Sequence, residues 1–245
     1  MARYFILSLI RLFNFVSFKI SLALKAGYQI SIPFATYAPW LKDEAFLNTF
    51  DRVRGISLVN LYQCWELWKL VDETEKTPGD VIEVGVFKGA TSAIMATKLK
   101  QNNSPAKFIC CDTFEGVVKA SGADNFYKGG EHKDTSLNFV TNLLTQTFQL
   151  NNVVILKGIF PDETGHQVQE NKFRLCHIDV DTYQSGKEVL TWVWDRLSPG
   201  GIVVFNDFGY PRTRGITQLV EENRGRKDCL VIHNLNGHGM MIKLK

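Results

Sequence analysis

His177-Ile178-Asp179-Val180-Asp181 places two carboxylates two residues apart, on one side of an extended segment. Phe205-Asn206-Asp207 closes a later apolar run. Asp179, Asn206 and Asp207 together offer three hard oxygen ligands. Such a set suits Mg2+, which takes octahedral oxygen coordination at about 2.0–2.1 Å and keeps positions for water or substrate. Carboxylates crowded together without a cation would repel one another or force a proton on. Separate surface acids and a helix cap are the plainer alternative, and the placement at two successive run ends counts against it.

Glu83-Val84-Gly85-Val86-Phe87-Lys88-Gly89 follows an earlier apolar run. Gly85 and Gly89 would let a ligand approach the backbone and let a helix start close to a strand. The heptapeptide is not Gly-x-Gly-x-x-Gly, so a nicotinamide cofactor is disfavoured, but a plain strand-to-helix turn stays equally open. Asp112, at the end of the next run, can accept hydrogen bonds from both ribose hydroxyls of a nucleoside cofactor. Its place after the glycine loop favours that role over a cap or a surface carboxylate. Gly158 and Phe160 follow a third run; Phe160 either flanks an adenine ring or packs in the core.

These residues need a scaffold. From about residue 78, strand-like runs at 81–86, 107–111, 153–156, 174–178 and 202–205 alternate with helix-compatible stretches at 89–100, 135–148, 182–197 and 213–223. Alternation of this kind predicts an α/β fold with a mainly parallel sheet covered on both faces. Residues 230–234 and 240–244 form a terminal strand pair joined through Gly237 and Gly239, so the last strand is expected antiparallel to its neighbour. Each ligand-bearing residue then falls at the carboxyl end of a strand, where open α/β sheets bind ligands. Residues 43–75 read as helical, with Trp65 and Trp68 among apolar positions, and are expected to cap that edge.

The chain has 245 residues, enough for one substantial core. Its 28 basic and 25 acidic residues leave a formal charge of +3, too small to argue for nucleic acid. Five cysteines without metal-type spacing fit buried thiols in a reducing cytoplasm. His166, His177 and His238 lack paired spacing and read as structural or exposed, and no Ser-His-Asp arrangement is suggested.

The start of the chain is different. Arg3, Arg11, Lys19 and Lys25 are its only charges, and no acidic residue precedes Asp43. Phe5, Leu9, Leu12, Phe13, Val16, Ile20 and Leu24 share one helical face. The charges interrupt the apolar stretch short of the roughly 20 residues a membrane span needs, and no small-residue cleavage site marks a signal peptide. A helix lying on a membrane surface and a helix packed on a partner subunit both remain. The partner subunit is slightly favoured, since an apolar stripe is usually buried in protein.

Together, Glu83-Val-Gly-Val-Phe-Lys-Gly89, Asp112-Thr-Phe-Glu-Gly116, His177-Ile-Asp-Val-Asp-Thr-Tyr183, Leu197-Ser-Pro-Gly-Gly201 and Asn206-Asp207 resemble the macrocin O-methyltransferase family, from about residue 38 to the end. Those enzymes act on sugar hydroxyls of antibiotics. The resemblance implies a Rossmann-like, seven-stranded methyltransferase sheet at residues 78–245. A helical cap at 31–77 and a basic amphipathic extension at 1–30 would precede it. S-adenosylmethionine would lie across Glu83, Gly85, Val86, Gly89, Asp112, Gly158, Phe160 and Asp179, with residues near Ser57 closing over its methionine part. Asp179, Asn206 and Asp207 would hold Mg2+, and Asp181 would be the general base. Asn206 departs from the family, which commonly has two aspartates there; its carbonyl oxygen still serves a metal, with one negative charge fewer. The implied acceptor is a hydroxyl of a sugar-like small molecule or glycan, handled by a cytoplasmic homo-oligomer. Two rivals are a nicotinamide-dependent oxidoreductase and a non-catalytic membrane- or partner-binding protein of the same fold. The missing glycine fingerprint counts against the first, and the retained Asp179, Asp181 and Asp207 against the second.

Overall fold

Runs of Val, Ile, Phe and Cys bounded by Gly, Pro and Asp become strands, because such side chains pack on both faces of a covered sheet. The computed structural model describes residues 2–25, 27–32 and 37–245, and the chain divides into two units, Met1–Lys42 and Asp43–Lys245. In the larger unit β1 (Asp80–Val84), β2 (Phe108–Asp112), β3 (Val153–Lys157), β4 (Phe173–Ile178), β5 (Leu197–Phe205), β6 (Cys229–His233) and β7 (Gly239–Lys243) form one sheet. Its order is β3-β2-β1-β4-β5-β7-β6. β1 to β5 pair in parallel, and β7 runs antiparallel to both β5 and β6. The expected architecture is present.

Ile109, Ile82, Cys176 and Val203 follow one another across β2, β1, β4 and β5 in register, all fully buried. Val189 and Val193 of α6 (Tyr183–Trp194) and Ile216 and Leu219 of α7 (Arg214–Glu222) join them in one core. On the helices α2 (Glu44–Val53), α3 (Leu61–Glu73) and α4 (Ala90–Gln101), packing is mutual. Asp43 caps α2 by accepting from Phe46 N, and its other oxygen takes the Trp68 indole N–H. Asn60 and Gln63 form a reciprocal cap at the start of α3. These helices, expected to cap the sheet's ligand edge, fall in the same unit as the sheet, Asp43–Lys245.

Two element bounds differ from expectation. Ser198-Pro199-Gly200-Gly201 does not end before β5 but lies inside it; the register with β4 slips there, and Gly200 takes φ +81°. A bulge lets Pro and Gly sit in a strand without breaking its neighbours' ladder. The helix expected at 135–148 begins as α5 (Leu137–Thr141) and continues as a π-helical stretch, Asn142–Thr147.

The smaller unit is led by α1 (Ala2–Ala23). Its part Tyr4–Ala23, with mean hydropathy 1.7, is long and apolar enough to cross a membrane by length and composition. The expectation that the charges cut it short is thus corrected: Arg3 and Lys25 fall outside this stretch, leaving only Arg11 and Lys19 within it.

Candidate active site

The strand order reverses between β1 and β4, and a crevice opens at the carboxyl ends of the strands there. Gly85, φ +90°, leaves β1 at that point; a Cβ on it would lie 1.8 Å from the backbone oxygen of Asp179. Only glycine allows this approach. It brings the start of the glycine loop against the end of β4, where Asp179 N donates to Val84 O at 2.9 Å.

Asp112 turns back from β2 onto the same loop. Its Oδ2 accepts from Val86 N (2.7 Å) and Phe87 N (2.8 Å), and its Oδ1 from Phe114 N (2.6 Å). Burial lifts its pKa, and the three backbone N–H groups oppose the rise. Each carboxylate oxygen has two lone-pair sites, so at least one remains for a hydroxyl donor.

A cleft of about 470 Å3 occupies this edge. Ser57, Gly85, Val86, Asp112, Gly158, Phe160 and Asp179 line it, as do Asp181, Asn206 and Asp207. Ser57 Oγ accepts from Val59 N and donates to Val59 O, shaping the loop before α3. Phe160 also belongs to the core, 5% exposed and edge-on to Trp192 at 4.9 Å.

Glu83 and Gly89, expected to touch the cofactor, lie off the cleft. Glu83 is fully buried; it takes the Ser92 hydroxyl and lies 2.8 Å from His177 Nδ1. Its partner follows from register: Glu83 sits directly beside His177 across β1 and β4. Gly89 packs the start of α4, where a Cβ would press on Val140 and Leu143 at 3.2 and 3.3 Å.

Carboxylate oxygens of Asp179, Asp181 and Asp207 lie within 4.8 Å of one another. Asp181 (φ +63°) and Asp207 (φ +62°) hold left-handed backbone, a strain of order 1 kcal/mol each that persists where surrounding structure enforces it. Burial pushes Asp179 and Asp207 well above the ordinary carboxylate range, and repulsion from the other members adds to it. Asp181 is also raised by burial, with His132 pulling it back. These groups resist being charged together.

Asn206 adjoins the carboxylates directly. Its Nδ2 donates to Asp179 Oδ1 at 3.0 Å, while its oxygen accepts from Gln63 Nε2 at 2.8 Å. Asp179, Asn206 and Asp207, the expected trio, all face the cleft, and Asp181 joins the two aspartates in the carboxylate cluster. The orientation of the Asn206 amide is electrostatic: beside a bare carboxylate an amide turns its donor inward.

Two further residues meet at Asp181. Tyr127 hydrogen-bonds to it, and the phenol pKa is raised by burial and by the charge of Asp181. His132 Nε2 lies 4.0 Å from Asp181 Oδ2 and 3.3 Å from Tyr127 Oη. Both come from the loop after β2, which carries no periodic signal to single them out. His166 is exposed, and His177 and His238 are fully buried against Glu83 and Glu66.

The family model for macrocin-O-methyltransferase (TylF) matches residues 57–234, well over half the chain and inclusive of every motif above. The chain belongs to the TylF family. A Streptomyces olivaceus relative, the 8-demethyl-8-(2,3-dimethoxy-alpha-L-rhamnosyl)-tetracenomycin-C 4'-O-methyltransferase, is 29% identical over 159 residues, 61% of this chain and 59% of the relative. Mycinamicin III 3''-O-methyltransferase from Micromonospora griseorubida is 28% identical over 165 residues, 63% of this chain and 65% of the relative. The chain thus spans about three-fifths of the length of these relatives. Among solved structures, the O-methyltransferase NovP superposes with TM-score 0.65 at 20% identity, covering 77% of this chain and 82% of that one. The calicheamicin methyltransferase CalS11 gives 0.62 at 16%, covering 85% and 95%. These two share the fold.

Proposed function

We propose that this chain moves a methyl group from S-adenosylmethionine to a hydroxyl of a sugar-like acceptor, with Mg2+ held by Asp179, Asn206 and Asp207 and with Asp181 as general base. One observation carries the reading: three carboxylates within 4.8 Å, at neighbouring strand ends, beside a cleft floored by Gly85 and Asp112. The relatives support the acceptor class. One is named for a rhamnosyl-bearing compound, and CalS11 is described as a TDP-rhamnose 3'-O-methyltransferase.

The residues fit the ion. All the donors are hard oxygens, and the acids' upward pKa displacement marks charge that a divalent cation would relieve. A half-turn of the Asn206 amide exchanges NH2 for oxygen without changing its shape, and positive charge beside Asp179 favours the oxygen. S-adenosylmethionine supplies an electrophilic methyl and Mg2+ supplies charge that eases ionisation of the acceptor hydroxyl.

The protein does the rest. Asp112 accepts from the ribose hydroxyls, and the absent Cβ at Gly85 lets the β4 end that carries Asp179 close against the glycine loop beside the cofactor. The loop through Ser57 covers the methionine part and keeps water out. Asp181 accepts the proton lost by the hydroxyl, its raised pKa bringing it towards the working range of a general base. Tyr127 and His132 fix its carboxylate. Alignment of nucleophile and methyl can contribute about 7–11 kcal/mol in favourable cases. The free, buried cysteines suit a reducing cytoplasm for this unit.

The test is methyl transfer from isotope-labelled S-adenosylmethionine to rhamnose-bearing acceptors, beside calorimetric titration with S-adenosylhomocysteine and with NAD. Label on a sugar oxygen and binding of S-adenosylhomocysteine alone are expected. Binding of NAD instead would overturn the reading.

A further inference from the structure

α1 presents Phe5, Leu9, Leu12, Phe13, Val16 and Ile20 on one face, each at least 42% exposed, and Tyr4, Phe15, Phe18 and Leu22 are exposed outside that face. Helices of soluble proteins bury such a stripe. Here none of the apolar window is buried.

We infer that α1 lies flat in the headgroup–acyl boundary of an anionic bilayer and anchors the protein there. Charge indicates the occupant. Arg3, Arg11, Lys19 and Lys25 are the only charged residues before Lys42, and the first acid is Asp43. A basic, aromatic-rich helix gains from apolar insertion and from anionic headgroups together.

Length would also permit a span, since 22 residues at 1.5 Å make about 33 Å against a hydrocarbon core of about 30 Å. The returning chain argues against it. Asn14, on the side of the helix away from the apolar face, holds both the N–H (2.8 Å) and the C=O (2.9 Å) of Ile32. Ser17 donates to Ile30 O, and Gln29 Nε2 to Asn14 O. Residues 29–32 therefore lie along the middle of the helix. A span would carry that irregular backbone, with Arg11 beside it, into hydrocarbon that cannot satisfy its polar groups. Lying flat keeps the polar seam in the headgroups and the apolar face in the acyl chains. The sequence leaned towards a partner subunit; the basic-only charge and the occupied polar seam move the assignment to lipid.

The full-length protein is sedimented with vesicles of phosphatidylcholine alone and of phosphatidylcholine mixed with phosphatidylglycerol. Binding about tenfold or more tighter to the mixture is expected, weakening with salt. Alkaline carbonate should release the bound protein. The double variant Leu9→Glu, Phe13→Glu should lose vesicle binding while its melting temperature and methyl transfer in solution stay unchanged. Four results overturn the inference: no vesicle binding, equal binding to both vesicles, retention through carbonate, or a lipid-free oligomer that the double substitution dissociates.

Discussion

The edge of the sheet buries carboxylates in two ways. Glu83 lies against His177 and Ser92, and Glu66 against His238, Asn234 and Asn236; every acid there has donors aimed at it. The pKa of Glu66 is lowered, its hydrogen bonds outweighing the cost of burial. A few ångströms of strand away, Asp179, Asp181 and Asp207 face one another, and all three are raised. The same chemical group is balanced in one place and unbalanced in the other. Balanced acids hold the fold, whereas the unbalanced acids carry excess charge and, at Asp181 and Asp207, left-handed backbone that structure alone does not explain.

The comparison breaks most clearly at Asp181. Asp181→Asn should cut methyl transfer about 100- to 10,000-fold, the range for a lost general base, while calorimetry shows S-adenosylhomocysteine binding unchanged. Retained activity would remove Asp181 from the chemistry. Glu83→Ala should act in the opposite manner. It leaves His177 buried without its partner, costing about 3–5 kcal/mol and lowering the melting temperature by about 10 °C. Cofactor affinity of the folded fraction should hold. Weakened cofactor affinity without a thermal loss would show that Glu83 contacts the cofactor after all.

A pH series sharpens the contrast. The three raised aspartates bind more protons in the folded protein than in the unfolded chain. Stability of the metal-free protein therefore falls as pH climbs from the ordinary carboxylate value through the raised ones. Glu66 has the opposite sign: its contribution is present above the ordinary value and is lost as pH falls through the lowered one. Melting temperatures from about pH 4 to about pH 8, with and without Mg2+, should show the metal's stabilisation growing with pH. A metal effect independent of pH would detach the cluster from the ion.

The sheet was legible because its signals are local. Val81, Ile82, Phe108 and Ile109 sit in short apolar runs, and Gly and Pro mark where the runs stop. Asp112, Asp179 and Asp207 were found because a ligand must meet the carboxyl ends of parallel strands. What failed depends on pairs of strands. Nothing within β1 shows that Glu83 faces His177; that needs the β1–β4 register. Nothing near Asn206 shows that Gln63, from α3, will take its oxygen. Tyr127 and His132 arrive from a loop with no period to read.

The most direct measurement is calorimetric titration of Mg2+ into the full-length protein in the presence of S-adenosylhomocysteine. One binding site is expected, abolished in Asp179→Asn and in Asp207→Asn, and unaltered in Glu66→Gln. Absence of a site, or a site that survives both aspartate substitutions, would contradict the assignment of the unbalanced acids to a cation.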